Sequence, residues 1–311
     1  MVTIRTIAEK AGVSTSTASR ALNDNPRISK ETRDNIKAIA KQLGYRPDYS
    51  AKNLSLGESN IIGVVFPIPE AGNNAPANPF HIEIMWGIGK AIRQHDYEMM
   101  VAMGTSEQDL VNQVAAMAEQ AKVQKFVLLY SQPADPVVKY LREHDRSYVI
   151  VGHPYDEGDR FVDNDNVGVG QAATNQLIRI HHPHHPAFIQ SSADRSFEID
   201  RRQGYEEAMA NHQLEPLVAK VGVDNPLLKW LDQHPEVDGL LFADDVLYLA
   251  AARQLREHKM PIVCFNNSQW IKLVFNDQNV IDLQPQKLGT KAAELLFDLS
   301  QNHVYVPYQV N

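Results

Sequence analysis

The chain has 311 residues, 43% of them hydrophobic and 22% charged, with a formal net charge of −8. That length leaves room for two or three core-bearing units, and the composition is that of an ordinary globular protein. No apolar run approaches a membrane span and no basic-then-apolar leader opens the sequence, so a soluble, cytoplasmic protein that does not engage a membrane is expected. The charge is unevenly placed. Residues 1–57 carry ten Lys/Arg against five Asp/Glu, or +5, while the remainder carries −13. A basic amino-terminal module on an acidic body suits nucleic-acid binding confined to one end. The one cysteine, Cys264, sits in the run Pro-Ile-Val-Cys-Phe and reads as a buried small hydrophobe.

Taken in chain order, Thr3 can cap a first helix whose apolar face is Ile4, Ile7 and Ala8. Ala11-Gly12-Val13 is a short turn, and Ser14 then caps a second helix with Ala18, Ala21 and Leu22 inward and Thr15, Ser16, Thr17 and Arg20 outward. Two short helices across a glycine turn form a helix-turn-helix unit, whose second helix reads bases in the major groove. Ser29 caps a third helix carrying Ile36, Ile39, Ala40 and Leu43. Thr3, Thr15, Ser16, Thr17, Arg20 and Asn23 are the candidate DNA contacts of this headpiece, 1–48. A linker follows at 49–58, too short to be a stable helix alone, in which Ala51 would let two linker helices approach closely on DNA.

From residue 59 onward apolar runs alternate with helical patterns. Strands are expected at 61–66, 99–102, 126–130 and 148–151, and a second set at 187–190, 239–242 and 262–265. Helices are expected at 81–95, 109–120, 168–180, 202–211, 246–257 and 287–299. The alternation implies parallel sheets covered by helices on both faces, and two sets of strands imply two doubly wound subdomains. Ligands of such sheets bind beyond the carboxyl ends of the strands. Asp163, Arg201, Asp244 and Asn266 each follow or flank an apolar run near such an end, and they suit a sugar, whose hydroxyls both donate and accept. Phe80 or Trp230 could cover the apolar face of a sugar ring.

The strings GVSTSTASRALN, ISKETRDNI, LGYRPDYSAKNL and IIGVVFP resemble the lactose repressor family of bacterial transcription regulators. The likeness continues through Asn78-Pro-Phe80, Asp200-Arg-Arg-Gln-Gly204 and Leu241-Phe-Ala-Asp-Asp245. FVLLYSQPADPVVKYL, VDNDNVG and FNN are similar to maltose-operon regulators of Gram-positive bacteria. The resemblance implies an α-helical helix-turn-helix headpiece joined to an α/β effector domain similar to periplasmic sugar-binding proteins, with three crossing segments between its subdomains. It places 59–161 with 266–282 in the first subdomain and 162–265 with 283–311 in the second. It also implies a homodimeric repressor on a pseudo-palindromic operator, relieved or reinforced by a sugar, with maltose or a maltodextrin the expected effector. Arg201 falls on the family's cleft arginine in an Arg-x-x-Gly pattern, and Leu54 on a leucine that wedges into the minor groove. Asn266 stands where most members have Asp, and Asp244 where many have Asn. With no heptad run after the last strand signal, a coiled-coil tetramer is not expected.

No cofactor and no metal are expected. His181-His-Pro-His-His185 invites a metal reading, but its prolines interrupt any regular ligand spacing and a solvated turn is expected. An enzyme is the alternative from another class, and no nucleophile elbow, phosphate loop or zinc-protease histidine pair appears. The adjacent Asp244 and Asp245, at a helix start, are not expected to face one substrate together. A second alternative keeps the DNA-binding role and replaces the sugar with a protein corepressor.

Overall fold

The computed structural model describes residues 2–45, 59–68, 78–222, 226–255, 260–266 and 280–310. Ala51 and Leu54 of the linker, and Asn267, lie outside the described residues. The chain divides into two compact units, Met1–Ser59 and Asn60–Asn311.

The first unit is the headpiece. Its helices are α1 (Ile4–Ala11), α2 (Thr15–Leu22) and α3 (Lys30–Gln42). Each begins where a hydroxyl can satisfy the free amides of the first turn: Thr3 accepts from Thr6 N–H, Ser14 from Thr17 N–H and Ser29 from Thr32 N–H. Gly12 adopts φ +66°, the left-handed conformation that ends α1 and turns the chain into α2. Ile7, Ala21, Ile36 and Ala40 form the buried centre, with Leu22, Ile39 and Leu43 packed around it. So small a core leaves little stability in reserve, and the three caps, each contributing about 1 kcal/mol, matter accordingly.

The second unit contains two six-stranded sheets. The first uses β1 (Ile61–Val65), β2 (Glu98–Ala102), β3 (Lys125–Leu128), β4 (Ser147–Val151), β5 (Phe161–Asp163) and β11 (His303–Tyr305), in the order β11-β5-β4-β3-β1-β2. The second uses β6 (Pro186–Ser191), β7 (Leu217–Val221), β8 (Gly239–Phe242), β9 (Ile262–Phe265), β10 (Val280–Asp282) and β12 (Gln309–Val310), in the order β12-β10-β9-β8-β6-β7. All described pairings are parallel except β10 with β12. Parallel strands must be covered on both faces, which explains their continuous apolar character.

Helices supply that cover in pairs. On the first sheet, α4 (Pro79–Ile92) and α11 (Pro285–Phe297) bury Ile84, Ile88, Leu288 and Leu296 on one face. On the other face, α5 (Glu107–Glu119) and α6 (Pro136–Glu143) bury Leu110, Val114, Val137 and Leu141. The second sheet repeats this with α7 (Asn166–His181) and α8 (Ser196–Asn211) on one face, and α9 (Leu227–Gln233) and α10 (Asp245–Ala251) on the other. In each half one pair meets through reciprocal glycines. A Cβ on Gly87 would lie 2.0 Å from Gln286 O and one on Gly289 2.0 Å from Ile84 O; for Gly170 and Gly204 the distances are 2.1 Å to Arg201 O and 2.0 Å to Val167 O. Backbone therefore rests on backbone at both crossings.

The tail segments lie opposite to the division expected from sequence. Residues 280–282, expected in the first subdomain, pair with β9 in the second sheet. Helix α11 and strand β11, expected in the second, complete the first, and only β12 returns to the second sheet. The expected boundary at 161/162 also cuts through β5. Two- and three-residue strands carry no readable alternation; their sheet is set by which edge has free backbone groups. Among the described residues the chain consequently crosses between the sheets three times, after β5, after β10 and after β11. Asn164, in the first crossing, donates from Nδ2 to Leu283 O in the second at 3.2 Å and to Val306 O in the third at 2.7 Å.

Candidate functional site

On the headpiece, Thr3, Thr15, Ser16, Arg20 and Asn23 are exposed and Thr17 is half-buried. Thr15 and Ser16 stand in the first turn of α2, where a recognition helix presents side chains to base edges. The Ser16 hydroxyl lies 2.9 Å and the Thr17 hydroxyl 2.8 Å from the capping Ser14 hydroxyl. Asn23 donates to Ser19 O at 3.0 Å, closing the end of α2.

The second candidate site is built around Arg201 on α8. The guanidinium lies over two aromatic rings, 4.8 Å from the Phe197 ring centroid and 4.5 Å from that of Phe265. Its Nε donates to Asn166 Oδ1 at 3.0 Å and one Nη to Ala243 O at 2.6 Å. Burial works against its charge, and Asp244, Asp163, Asp245 and Glu198 support it. These carboxylates come from both sheets. Asp163 closes β5 of the first, whereas Asp244 follows β8 of the second; each stands at the carboxyl end of its own sheet, and both support the Arg201 charge.

Asp163 accepts from Asn164 N–H at 2.8 Å and from Asn166 Nδ2 at 3.0 Å. Burial nevertheless pushes its carboxyl up to about 6. A group whose pKa is raised on folding adds stability that is present below its unfolded value of 3.8 and lost as pH rises through about 6. His81, held down at about 4 by burial and then by Arg195, tilts the other way, so the comparison is made against the parent protein at each pH. Asp163→Asn is expected to gain thermal stability relative to the parent as pH rises from about 4 to about 6. A melting-temperature difference that stays constant across that range would refute the assignment.

Asp244 is extended and caps α10 through Oδ1, accepting from Val246 and Leu247 N–H. Asp245, the first residue of that helix, is 1% exposed; its oxygens make no close hydrogen bond, but the Asn266 side chain is near enough to support its charge. Burial, then the Asp244 charge, raises its pKa. Both adjacent carboxylates support the charge of the same guanidinium, Asp244 from the extended segment before the helix and Asp245 from its first turn. Asn266 takes φ +65° just after β9, its N–H donates to Ile281 O at 2.8 Å, and its buried Oδ1 has no partner.

Phe80 packs against the cores of both subdomains, and its N–H donates to Asn78 Oδ1 at 3.0 Å. Trp230 is core: it is buried under the second sheet and stacks on His234 at 4.0 Å, so it offers no face to a ligand. The histidine run is a clipped turn in which His182 is left-handed and the His184 and His185 amides donate to the Asp238 carboxylate. Among the described residues no group of three or more His, Cys, Asp or Glu is arranged to hold a metal. Cys264 is fully buried.

Sequence reasoning passed over Asn166, Phe197 and Phe265, and set Asp245 aside. Phe197 stands one helical turn before Arg201, and Asn166 ends the VDNDN run; those spacings were the available signals.

The sequence profile described as "Bacterial regulatory proteins, lacI family" matches residues 3–48, and that described as "Periplasmic binding proteins and sugar binding domain of LacI family" matches residues 61–256. The chain belongs to the LacI family. It is a DNA-binding transcriptional regulator rather than an enzyme. It is 29% identical to the HTH-type transcriptional regulator MalR of Staphylococcus xylosus, over 97% of this chain and 93% of MalR. It is 28% identical to CelR of Thermobifida fusca, over 95% of this chain and 91% of CelR. Among solved structures, a CelR–cellobiose complex superimposes with a TM-score of 0.71 at 25% identity, covering 100% of this chain and 98% of CelR. The lac repressor dimer bound to operator and the anti-inducer ONPF shares the fold, with a TM-score of 0.75 at 18% identity over 100% of this chain and 98% of that one. In this LacI-family regulator the helix-turn-helix and Arg201 with Asp163, Asp244 and Asp245 fall within separate profile matches. Among the described residues no helix is long and apolar enough to cross a membrane.

Proposed function

We propose that the chain is a homodimeric, cytoplasmic repressor of carbohydrate-utilisation genes whose operator affinity is set by a sugar bound at Arg201, with maltose or a maltodextrin as the effector. The observation carrying this reading is the convergence of Asp163 from the first sheet with Arg201 and Asp244 from the second, and with Asn266 through Asp245, all buried and polar. A ligand held by both halves favours one arrangement of them over another. That differential affinity is the physical content of allosteric control. A solved probable maltose operon repressor MalR of the same fold supports maltose, and the CelR–cellobiose complex supports a disaccharide at this kind of domain. A two-fold dimer would place one headpiece on each half of a palindromic operator. In this reading the linker helices form on DNA, with Ala51 at their contact and Leu54 wedged between base steps.

Fluorescence anisotropy on a palindromic operator, with and without maltose, tests the whole scheme. A maltose-dependent shift of operator affinity is expected, and operator binding indifferent to maltose, cellobiose and glucose alike would overturn sugar control. Base reading is tested separately. Replacing Thr15 and Ser16 together should change the ranking of operator variants, since each good base contact discriminates by about 1–3 kcal/mol. A uniform loss of affinity with the ranking preserved would make them phosphate-positioning residues instead.

A further inference from the structure

We propose that Ser14 is a positioning residue for base reading: its hydroxyl sets whether Ser16 meets an operator base as a hydrogen-bond donor or as an acceptor. This rests on the reading of Ser16 as a base contact given above. A serine hydroxyl carries one proton and two lone pairs, and a freely rotating one meets a donating or an accepting base edge equally well. Ser16 standing alone would therefore discriminate little. It does not stand alone. Its hydroxyl lies 2.9 Å from that of Ser14, an ordinary hydrogen-bond length, and both side chains are exposed.

The bonding capacity of Ser14 limits what Ser16 can do. Ser14 Oγ accepts from Thr17 N–H at 3.1 Å, which takes one lone pair, and it stands 2.8 Å from the Thr17 hydroxyl as well. One proton and one lone pair remain for two hydroxyl neighbours, so one neighbour donates to Ser14 and the other accepts from it. A Ser16 that donates inward turns its lone pairs outward and suits the exocyclic amino group of cytosine. A Ser16 that accepts from Ser14 keeps its own proton free and suits O6 or N7 of guanine. Ser14 and Thr17 together make that choice before DNA arrives.

Among the three headpiece helices this arrangement belongs to α2 alone. Thr3 pairs with the Thr6 hydroxyl at 3.2 Å and Ser29 with that of Thr32 at 2.8 Å, the same i, i+3 cap. Two residues after those caps stand Arg5 and Glu31, whereas two residues after Ser14 stands Ser16. Capping requires only the first-turn amide. The added bond to Ser16 satisfies no backbone group, and it falls on the turn that a recognition helix presents to base edges.

Ser14→Asp and Ser14→Asn separate the two senses, because both residues cap helices about as well as serine. The carboxylate only accepts, so it draws the Ser16 proton inward. The amide caps through Oδ1 and can donate to Ser16 from Nδ2, which releases that proton. Fluorescence anisotropy of the full-length protein is measured on a palindromic operator, selected from a random duplex pool and then varied one position at a time. It gives the cytosine-to-guanine affinity ratio at each position. At one half-site position the ratio is expected to be about fivefold or more higher for Ser14→Asp than for Ser14→Asn, the scale of one hydrogen bond. Taking a ratio cancels the uniform loss of affinity that the added negative charge brings. The difference should vanish when Ser16→Ala is added. Melting followed by circular dichroism checks that each variant folds. Should either fail to fold, Ser14→Gly, a tolerated cap without a hydroxyl, is expected to bring the parent's ratio towards one. Equal ratios in the two variants at every position, a difference that survives Ser16→Ala, or a parental ratio in Ser14→Gly overturns the positioning role. Base reading by Ser16 stands in those cases if Ser16→Ala by itself reorders the operators. A Ser16→Ala variant that leaves the order unchanged overturns base reading by Ser16 and this proposal together.

Discussion

Arg201→Ala abolishes the effector response while leaving operator affinity within a few-fold of the parent: this is the expected result of the substitution with the largest effect on function. Each charged hydrogen bond lost from a buried arginine costs about 1.5–3 kcal/mol. The guanidinium here donates to both Asn166 and Ala243 O, so Asn166 loses its orientation and Ala243 O loses its donor. It is also the central cation for Asp163, Asp244, Asp245 and Glu198. Leaving buried charges without a partner destabilises by about 3–5 kcal/mol. Those carboxylates relieve the strain by taking up protons, so the variant should regain thermal stability relative to the parent on acidification from neutral pH. The headpiece folds around its own core of Ile7, Ala21, Ile36 and Ala40, which is why operator affinity should survive. Calorimetry and anisotropy on the same preparation decide the matter. Sugar affinity unchanged in a folded variant would remove Arg201 from the site.

The second large effect is expected from Gly204→Ala. The added Cβ would lie 2.0 Å from Val167 O and 2.8 Å from Gln171 N, so α7 and α8 must separate. Overpacking against backbone cannot be relieved by a rotamer change, and a loss of about 3 kcal/mol is expected. In a unit of this size that lowers the melting temperature by roughly 6–12 °C. The displaced helix is the one that carries Arg201, whose own carbonyl rests on Gly170, so effector affinity should fall along with stability. Gly289→Ala provides the contrast. Its Cβ would meet Ile84 O at 2.0 Å, at the matching crossing of α4 and α11, away from the Arg201 cluster. Comparable destabilisation with nearly unchanged effector affinity is expected there. Equal loss of affinity in the two variants would mean that Gly204 acts on global stability and not through Arg201.

The Arg-x-x-Gly pattern thereby acquires a physical meaning. Arginine at the first position reaches the carboxyl ends of both sheets, and glycine three residues on lets the helix come close enough for it to do so. The pattern was readable in the sequence; the backbone contact that requires the glycine was not.

Local chemistry was enough to locate most of the elements. Thr3, Ser14 and Ser29 each stand immediately before the first residue of a helix whose apolar period opens at Ile4, Ala18 and Ile36, and each caps that helix, because satisfying the first-turn amides is a local requirement. The apolar runs at 61–66, 126–130 and 239–242 became central parallel strands for a related reason: a strand buried on both faces must be apolar throughout. Arg201, Asp163, Asp244 and Asn266 were recognisable from their position after such runs. Tertiary structure alone decided where the last thirty residues belong. β10, β11 and β12 are two or three residues long and follow whichever sheet edge offers unpaired backbone groups, which no local pattern encodes. It alone also decided the fate of single side chains. Trp230 and Phe265 are both aromatic residues in apolar surroundings, yet one stacks on His234 inside the core and the other lies under Arg201. Which of two such rings meets a charge depends on how helices cross above the sheet, and that crossing is set by contacts between residues far apart in the chain.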